Sequence, residues 1–125
     1  MQDTMRVLYY PRCGTCRKAL KWLDEANISY EKANIVEEPP TFDELKGYFE
    51  RSGPPIKRFF NTSGAAYRNL NMKDRWKEGI SDEECLRLLA SDPMLVKRPI
   101  VATDDAFLIG FKEDEWKAAL LGRDA

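Results

Sequence analysis

Two cysteines three residues apart carry the most chemistry in this chain. Cys13-Gly14-Thr15-Cys16 follows an apolar run, Val7-Leu8-Tyr9-Tyr10, and a Pro11-Arg12 pair. It opens a helical pattern through Arg17, Ala19, Leu20, Trp22 and Leu23. Cysteine pairs at this spacing serve either thiol–disulfide exchange or half of a tetrahedral zinc site. The setting of strand, C-x-x-C and helix favours the redox use. Zinc needs two further ligands, and with no histidine and only Cys85 remaining it would need a dimer.

The position of Cys13 supplies a mechanism. At the start of a helix the backbone N–H groups of Thr15, Cys16 and Arg17 have no intrahelical partner. Together with the positive end of the helix dipole they stabilise an anion. The thiolate of Cys13 is such an anion, so its pKa is expected below the roughly 8.5 of a free cysteine. Arg12 and Arg17 add positive charge nearby. Cys16, one turn further in and more buried, is placed to attack an adduct on Cys13 and release it as an intramolecular disulfide. The chain has no histidine. That removes Ser-His-Asp and Cys-His catalysis and any histidine-ligated metal. Activation of a cysteine therefore falls to backbone amides, a helix terminus or arginine.

The elements that must hold these groups follow from periodicity. Met5 to Tyr10 reads as a buried strand, about Thr15 to Ala26 as a helix stopped at Asn27, and Ile28 to Ile35 as a second strand. Strand, helix and strand with short links form a βαβ unit with parallel strands. Pro39-Pro40 breaks the pattern. Thr41 with Glu44 is a capping box that starts a helix bearing Phe42, Leu45, Tyr48 and Phe49, which ends before Gly53-Pro54-Pro55. Short helical pieces are expected around 56–60, 65–70 and 73–77. Ser81 with Glu84 is a second capping box, before Leu86, Leu88 and Leu89. Arg98 to Thr103 reads as a strand, Asp104-Asp105 as a turn, Ala106 to Gly110 as an antiparallel strand, and Lys112 to Leu121 as a closing helix with Trp116, Ala119 and Leu120 inward. The predicted class is α/β: a thioredoxin-like mixed four-stranded sheet with a helical insertion at about residues 41–91, all in one domain.

Composition bounds the rest. The 125 residues are 43% hydrophobic, enough for a core without disulfide staples, and the formal net charge is −1. That balance offers no footprint for direct nucleic-acid or membrane binding. No apolar run reaches the length of a membrane span, and Met1-Gln2-Asp3-Thr4 is too polar and short to open a signal peptide. Three cysteines suit a reducing cytoplasm, where a disulfide is catalytic or a sensor. Cys85, beside Leu86, reads as a part-buried small hydrophobe. Arg12, Lys18 and Lys21 read as a solvated face.

Several segments together resemble the arsenate reductase-like (ArsC) family of thioredoxin-like proteins, which also holds the Spx-type regulators. They are Tyr10-Pro11-Arg12-Cys13-Gly14-Thr15-Cys16-Arg17-Lys18, Glu38-Pro39-Pro40 with Glu44-Leu45, Phe60-Asn61-Thr62-Ser63-Gly64 before Tyr67, Arg98-Pro99-Ile100-Val101, and Gly110-Phe111-Lys112-Glu113. The match runs over nearly the whole chain and looks closest to bacterial members with two cysteines in the active-site loop.

The resemblance implies roles. Cys13 corresponds to the cysteine that attacks arsenate, Arg98 to an arginine that binds the oxyanion, and Pro99 to a cis proline against the reactive sulfur. Gly14, Thr15 and Arg17, with Asn61 and Pro99, make up the implied oxyanion- or substrate-binding set. Cys13 and Cys16 would form the redox disulfide, and no metal is implied. No cofactor is implied either, beyond an external reductant: thioredoxin, glutaredoxin or a low-molecular-weight thiol.

Three features depart from the reductases. Asn61 and about Gly110 stand where they carry arginines, and Cys16 stands where they lack a cysteine. The reading therefore favours a thiol-dependent oxidoreductase over arsenate reduction. Its alternative is an Spx-like redox regulator that binds the C-terminal domain of the RNA polymerase α subunit. Gly53 lies near the glycine of that contact, but residues 117–125 carry only Lys117 and Arg123 where the regulators are strongly basic. A cytoplasmic monomer is expected under both.

Overall fold

The computed structural model describes residues 5–103 and 107–121. The chain divides into two compact units: one runs to Asn34 and resumes at Arg98, the other is Ile35–Lys97.

The first unit holds the sheet. Strand β1 (Arg6–Tyr9) is followed by helix α1 (Gly14–Glu25) and strand β2 (Glu31–Asn34). Strands β3 (Ile100–Ala102) and β4 (Phe107–Ile109) close the sheet, in the order β2-β1-β3-β4. β1 pairs with β2 in parallel, as a βαβ link requires, and with β3 antiparallel, Leu8 opposite Ile100 and Arg6 opposite Ala102. β3 and β4 are also antiparallel. The sheet is therefore mixed and four-stranded, as expected. β2 is shorter than the 28–35 expected: only Glu31–Asn34 pair with β1, while Ile28 and Tyr30 before them pack against the core without joining the ladder. Asn27 ends α1 in the left-handed region, φ 59°, a conformation asparagine tolerates better than most residues. The expected turn at Asp104-Asp105 and the first residue of the expected last strand, Ala106, lie outside the described residues.

Met5, Val7, Ala19, Leu23, Val101 and Trp116 form the buried core of this unit. Trp116, fully buried, meets Trp22 and Phe111 edge-on, with ring centroids 6.1 Å and 4.8 Å away. It lies at the end of a short helix, α6 (Glu113–Trp116), which widens into a π-helical turn over Lys117–Leu121. An unbroken closing α-helix was expected. Hydrophobic spacing does not register the change, since Trp116 and Leu120 remain four apart either way.

The second unit is helical, as the insertion required. It contains α2 (Phe42–Arg51), a 3₁₀ turn at Ile56–Phe59, α3 (Ala65–Asn69), α4 (Met72–Lys77), α5 (Asp82–Ser91) and a 3₁₀ turn at Pro93–Leu95. The Thr41 capping box is complete: its hydroxyl accepts from the Glu44 N–H, and its own N–H donates to the Glu44 carboxylate. Ser81 makes only half of one. Its hydroxyl accepts from the Glu84 N–H, but the Glu84 carboxylate turns to that same hydroxyl at 3.4 Å. α2 and α5 pack together, and Leu45 and Tyr48 of the first and Leu86 and Leu89 of the second are buried. Phe60 meets Tyr67 and Trp76 edge-on, and bridges to Val96 as an isolated antiparallel pair.

Candidate functional site

Cys13 is the N-cap of α1. Its backbone is extended (φ −92°, ψ 116°), and its Sγ accepts from the Cys16 N–H at 3.4 Å. A sulfur thus occupies the place usually taken by a serine, threonine or aspartate oxygen. No acidic side chain lies in the first turn to compete for those amides. The amide donors differ from the expected set in one respect. The Arg17 N–H donates to the Cys13 carbonyl at 3.2 Å, because an N-cap carbonyl accepts the first intrahelical bond. The Thr15 and Cys16 N–H groups are those left for the sulfur.

The two thiols have opposite environments. Both are reduced, with Cys13 half-buried and Cys16 fully buried. Burial works against a Cys13 thiolate, but the backbone N–H and thiol of Cys16, the charge of Arg98 and the Thr15 N–H outweigh it. The thiol settles below its ordinary value. Burial pushes Cys16 up to about 12, its bond to Cys13 and the Cys13 charge adding to the effect. The Tyr10 N–H, which reaches Cys16 Sγ at 3.5 Å and is the larger opposing influence, and Arg98 pull the other way without overcoming burial. Of the two sulfurs, Cys13 is thus the one more easily ionised, while Cys16 is held protonated.

Arg98 stands just before β3, joined to Pro99 by a cis peptide bond. The Leu8–Ile100 register, continued two residues past the ladder, sets Tyr10 opposite Arg98. Across that gap the guanidinium lies over the Tyr10 ring, 4.9 Å from its centroid. Pro99 is buried, and its carbonyl accepts from the Gly110 N–H at 2.8 Å. The Gly110 carbonyl in turn accepts from the Trp116 indole at 3.0 Å. Gly110 has φ 74°, so a side chain there would be strained, and arginine is a poor occupant of that backbone.

Of the expected site residues, the first unit brings Cys13, Gly14, Thr15, Cys16, Arg17, Arg98 and Pro99 to one end of its sheet. The Arg17 side chain is exposed. Asn61 belongs to the second unit, held within its own turn. Its N–H donates to the Leu95 carbonyl, its carbonyl accepts from the Gly64 N–H, and its Oδ1 accepts from the Ser63 hydroxyl. Tyr10 was read from the sequence only as strand and motif. Its part in the site rests on the antiparallel register, which hydrophobic patterning does not disclose. Among the described residues no group of three or more Cys, Asp or Glu side chains is placed to hold a metal ion, and no helix is long and apolar enough to cross a membrane.

Comparison with known proteins places this geometry. The ArsC family model matches residues 8–119. The chain is 49% identical to the uncharacterized protein YusI of Bacillus subtilis over 114 residues, covering 91% of this chain and 96% of that one. It is 30% identical to the global transcriptional regulator Spx of the same organism over 105 residues, covering 84% of this chain and 78% of Spx. The crystal structure of an ArsC family related protein from Bacteroides fragilis superimposes with a TM-score of 0.86 at 46% identity, covering 91% of this chain and 97% of that one.

Proposed function

The chain belongs to the ArsC family, and on that basis we propose that it is a thiol-dependent oxidoreductase with Cys13 as nucleophile and Cys16 as resolving cysteine. The observation that carries this reading is the asymmetry of the pair: a half-buried Cys13 sulfur capping a helix, beside a buried Cys16 held protonated.

The steps balance as follows. The Cys13 thiolate attacks one sulfur of a substrate disulfide, forming a mixed disulfide and expelling the other sulfur as a thiolate. Once Cys13 is tied up in the mixed disulfide, both its hydrogen bond to Cys16 and its charge no longer hold the Cys16 proton, and burial alone opposes ionisation. Cys16 loses its proton to solvent and attacks Cys13 Sγ, closing the Cys13–Cys16 disulfide and expelling the second substrate thiolate. The substrate disulfide gains two electrons and the pair loses two. An external dithiol (thioredoxin or glutaredoxin), or two equivalents of a small thiol, returns them and leaves as a disulfide.

Disulfide substrates fit better than arsenate. Asn61 is engaged in its own turn, and Gly110 has a backbone that disfavours a side chain, so the charge-assisted bonds of two further arginines are missing. The test is the Cys13 pKa and the pair's reduction potential, with turnover of a model disulfide. A depressed pKa and a potential of roughly −270 to −200 mV are expected. Cys13→Ser should abolish turnover, and Cys16→Ser should stall as a mixed disulfide visible by mass. An ordinary thiol pKa at Cys13 sinks the reading.

A second reading rests on the similarity to Spx. Here the same pair is a redox switch governing affinity for the RNA polymerase α C-terminal domain. Pull-down of that domain by the oxidised and reduced protein separates the two, and no binding in either state removes the regulator.

A further inference from the structure

Tyr10 touches two groups of the site by different parts of itself. Its ring lies under the Arg98 guanidinium, and its backbone N–H reaches Cys16 Sγ. The ring contact spans two strand ends, Tyr10 following β1 and Arg98 preceding β3, just beyond the last ladder pair, Leu8 and Ile100. The guanidinium is 4.9 Å from the ring centroid. A planar guanidinium stacks well on an aromatic face. Arg98 is the side chain whose full charge bears on Cys13.

We propose that Tyr10 is a positioning residue for the redox pair: its ring fixes the Arg98 guanidinium beside the Cys13 sulfur, so that the arginine acts on the thiolate from one place. Tyr10 touches no reacting atom through its side chain and supplies no proton. The inference rests on the proposed thiol chemistry and adds to it the residue that locates the cation.

The test is the pH dependence of Cys13 alkylation by iodoacetamide, followed by mass, in the reduced protein. Tyr10→Phe keeps the ring and is expected to reproduce the wild-type profile. Tyr10→Leu removes it; the midpoint should move to higher pH and the rate at neutral pH should fall about two- to five-fold, the range of an exposed cation–π contact. Arg98→Met should move the profile in the same direction. The double variant should match Arg98→Met alone, because a ring that acts through the arginine has nothing left to position. Should Tyr10→Leu not fold, Tyr10→Met takes its place. A profile unmoved by loss of the ring, or a Tyr10 effect that adds in full to that of Arg98→Met, overturns the inference. A depressed wild-type midpoint that ignores Tyr10 sinks this inference alone, whereas an ordinary wild-type midpoint sinks the proposed chemistry itself.

Discussion

At the scale of single residues, the chemistry turns on where two sulfurs and one guanidinium sit. The Cys13 thiol is held below its ordinary value, because amide donors and Arg98 outweigh its burial. The reactive form is the thiolate, so the attack rate should climb as pH rises through that lowered pKa. It should reach its plateau at lower pH than the thiol of a free cysteine does. Arg98→Met should move the climb to higher pH and slow attack at neutral pH, while leaving the plateau rate nearly intact. Stopped-flow reaction with a disulfide probe across pH measures both. A plateau that falls while the midpoint stays put would assign Arg98 to substrate rather than to the thiolate. Burial divides the cysteines equally sharply. Cys16 and Cys85 are fully buried and Cys13 is half-exposed, so brief alkylation of the native reduced protein should label one thiol of three. Labelling of two or three without denaturant would contradict the packing.

At the scale of elements, helix ends decide both reactivity and stability. α1 uses a sulfur as its cap, whereas α2 uses a complete box at Thr41 and Glu44. Thr41→Ala should cost about 1 kcal/mol, read from urea unfolding. Ser81→Ala should cost less than Thr41→Ala, because the Ser81 box lacks the reciprocal bond to its own N–H. α5 carries a pH response of its own. Burial pushes Cys85 up to about 11, with the charges of Asp82 and Glu84 adding to it. An acid whose folded pKa is raised favours folding while protonated in both states. That contribution is complete below the unfolded value of roughly 8.5 and is lost as pH rises from there towards 11. The stability of the reduced protein should therefore fall over that window more steeply than that of Cys85→Ala. Parallel pH profiles for the two proteins would show that Cys85 ionises without cost.

At the scale of the whole molecule, each unit carries its own buried aromatic cluster. In the first, Trp116 joins core and site: its ring packs on Trp22 and Phe111, and its indole holds the Gly110 carbonyl, whose N–H holds Pro99. Trp116→Ala should cost about 3–5 kcal/mol in urea unfolding. In folded protein it should also alter the pH profile of Cys13, since Pro99 adjoins Arg98. A Trp116→Ala protein that is less stable but has an unchanged Cys13 profile would confine Trp116 to packing. In the second unit Phe60, buried against Tyr67 and Trp76, fills the corresponding place, and Phe60→Ala should cost a similar amount.

The sequence alone determined whatever depends on near neighbours. The C-x-x-C at a strand-to-helix junction, the capping residues Thr41 and Ser81, the stop at Asn27 and the apolar periods of α1, α2 and α5 all act within a few residues, so they were legible in the chain. So was the exclusion of histidine chemistry, which needs no geometry. Strand ends and the closing helix were less legible: Ile28 and Tyr30 pack against the core without pairing to β1, so β2 is shorter than its apolar pattern, and the π-helical turn after Trp116 leaves hydrophobic spacing unchanged. The tertiary structure decided what depends on distant segments. Pairing of β1 with β3 brings residues 88 positions apart, Tyr10 and Arg98, into ring–guanidinium contact beside the thiols. It also decided which amides face Cys13, because the N-cap carbonyl claims the Arg17 N–H. Local propensity is written in composition and spacing; register and the fate of each hydrogen bond are settled only when separate parts of the chain compete for the same partner.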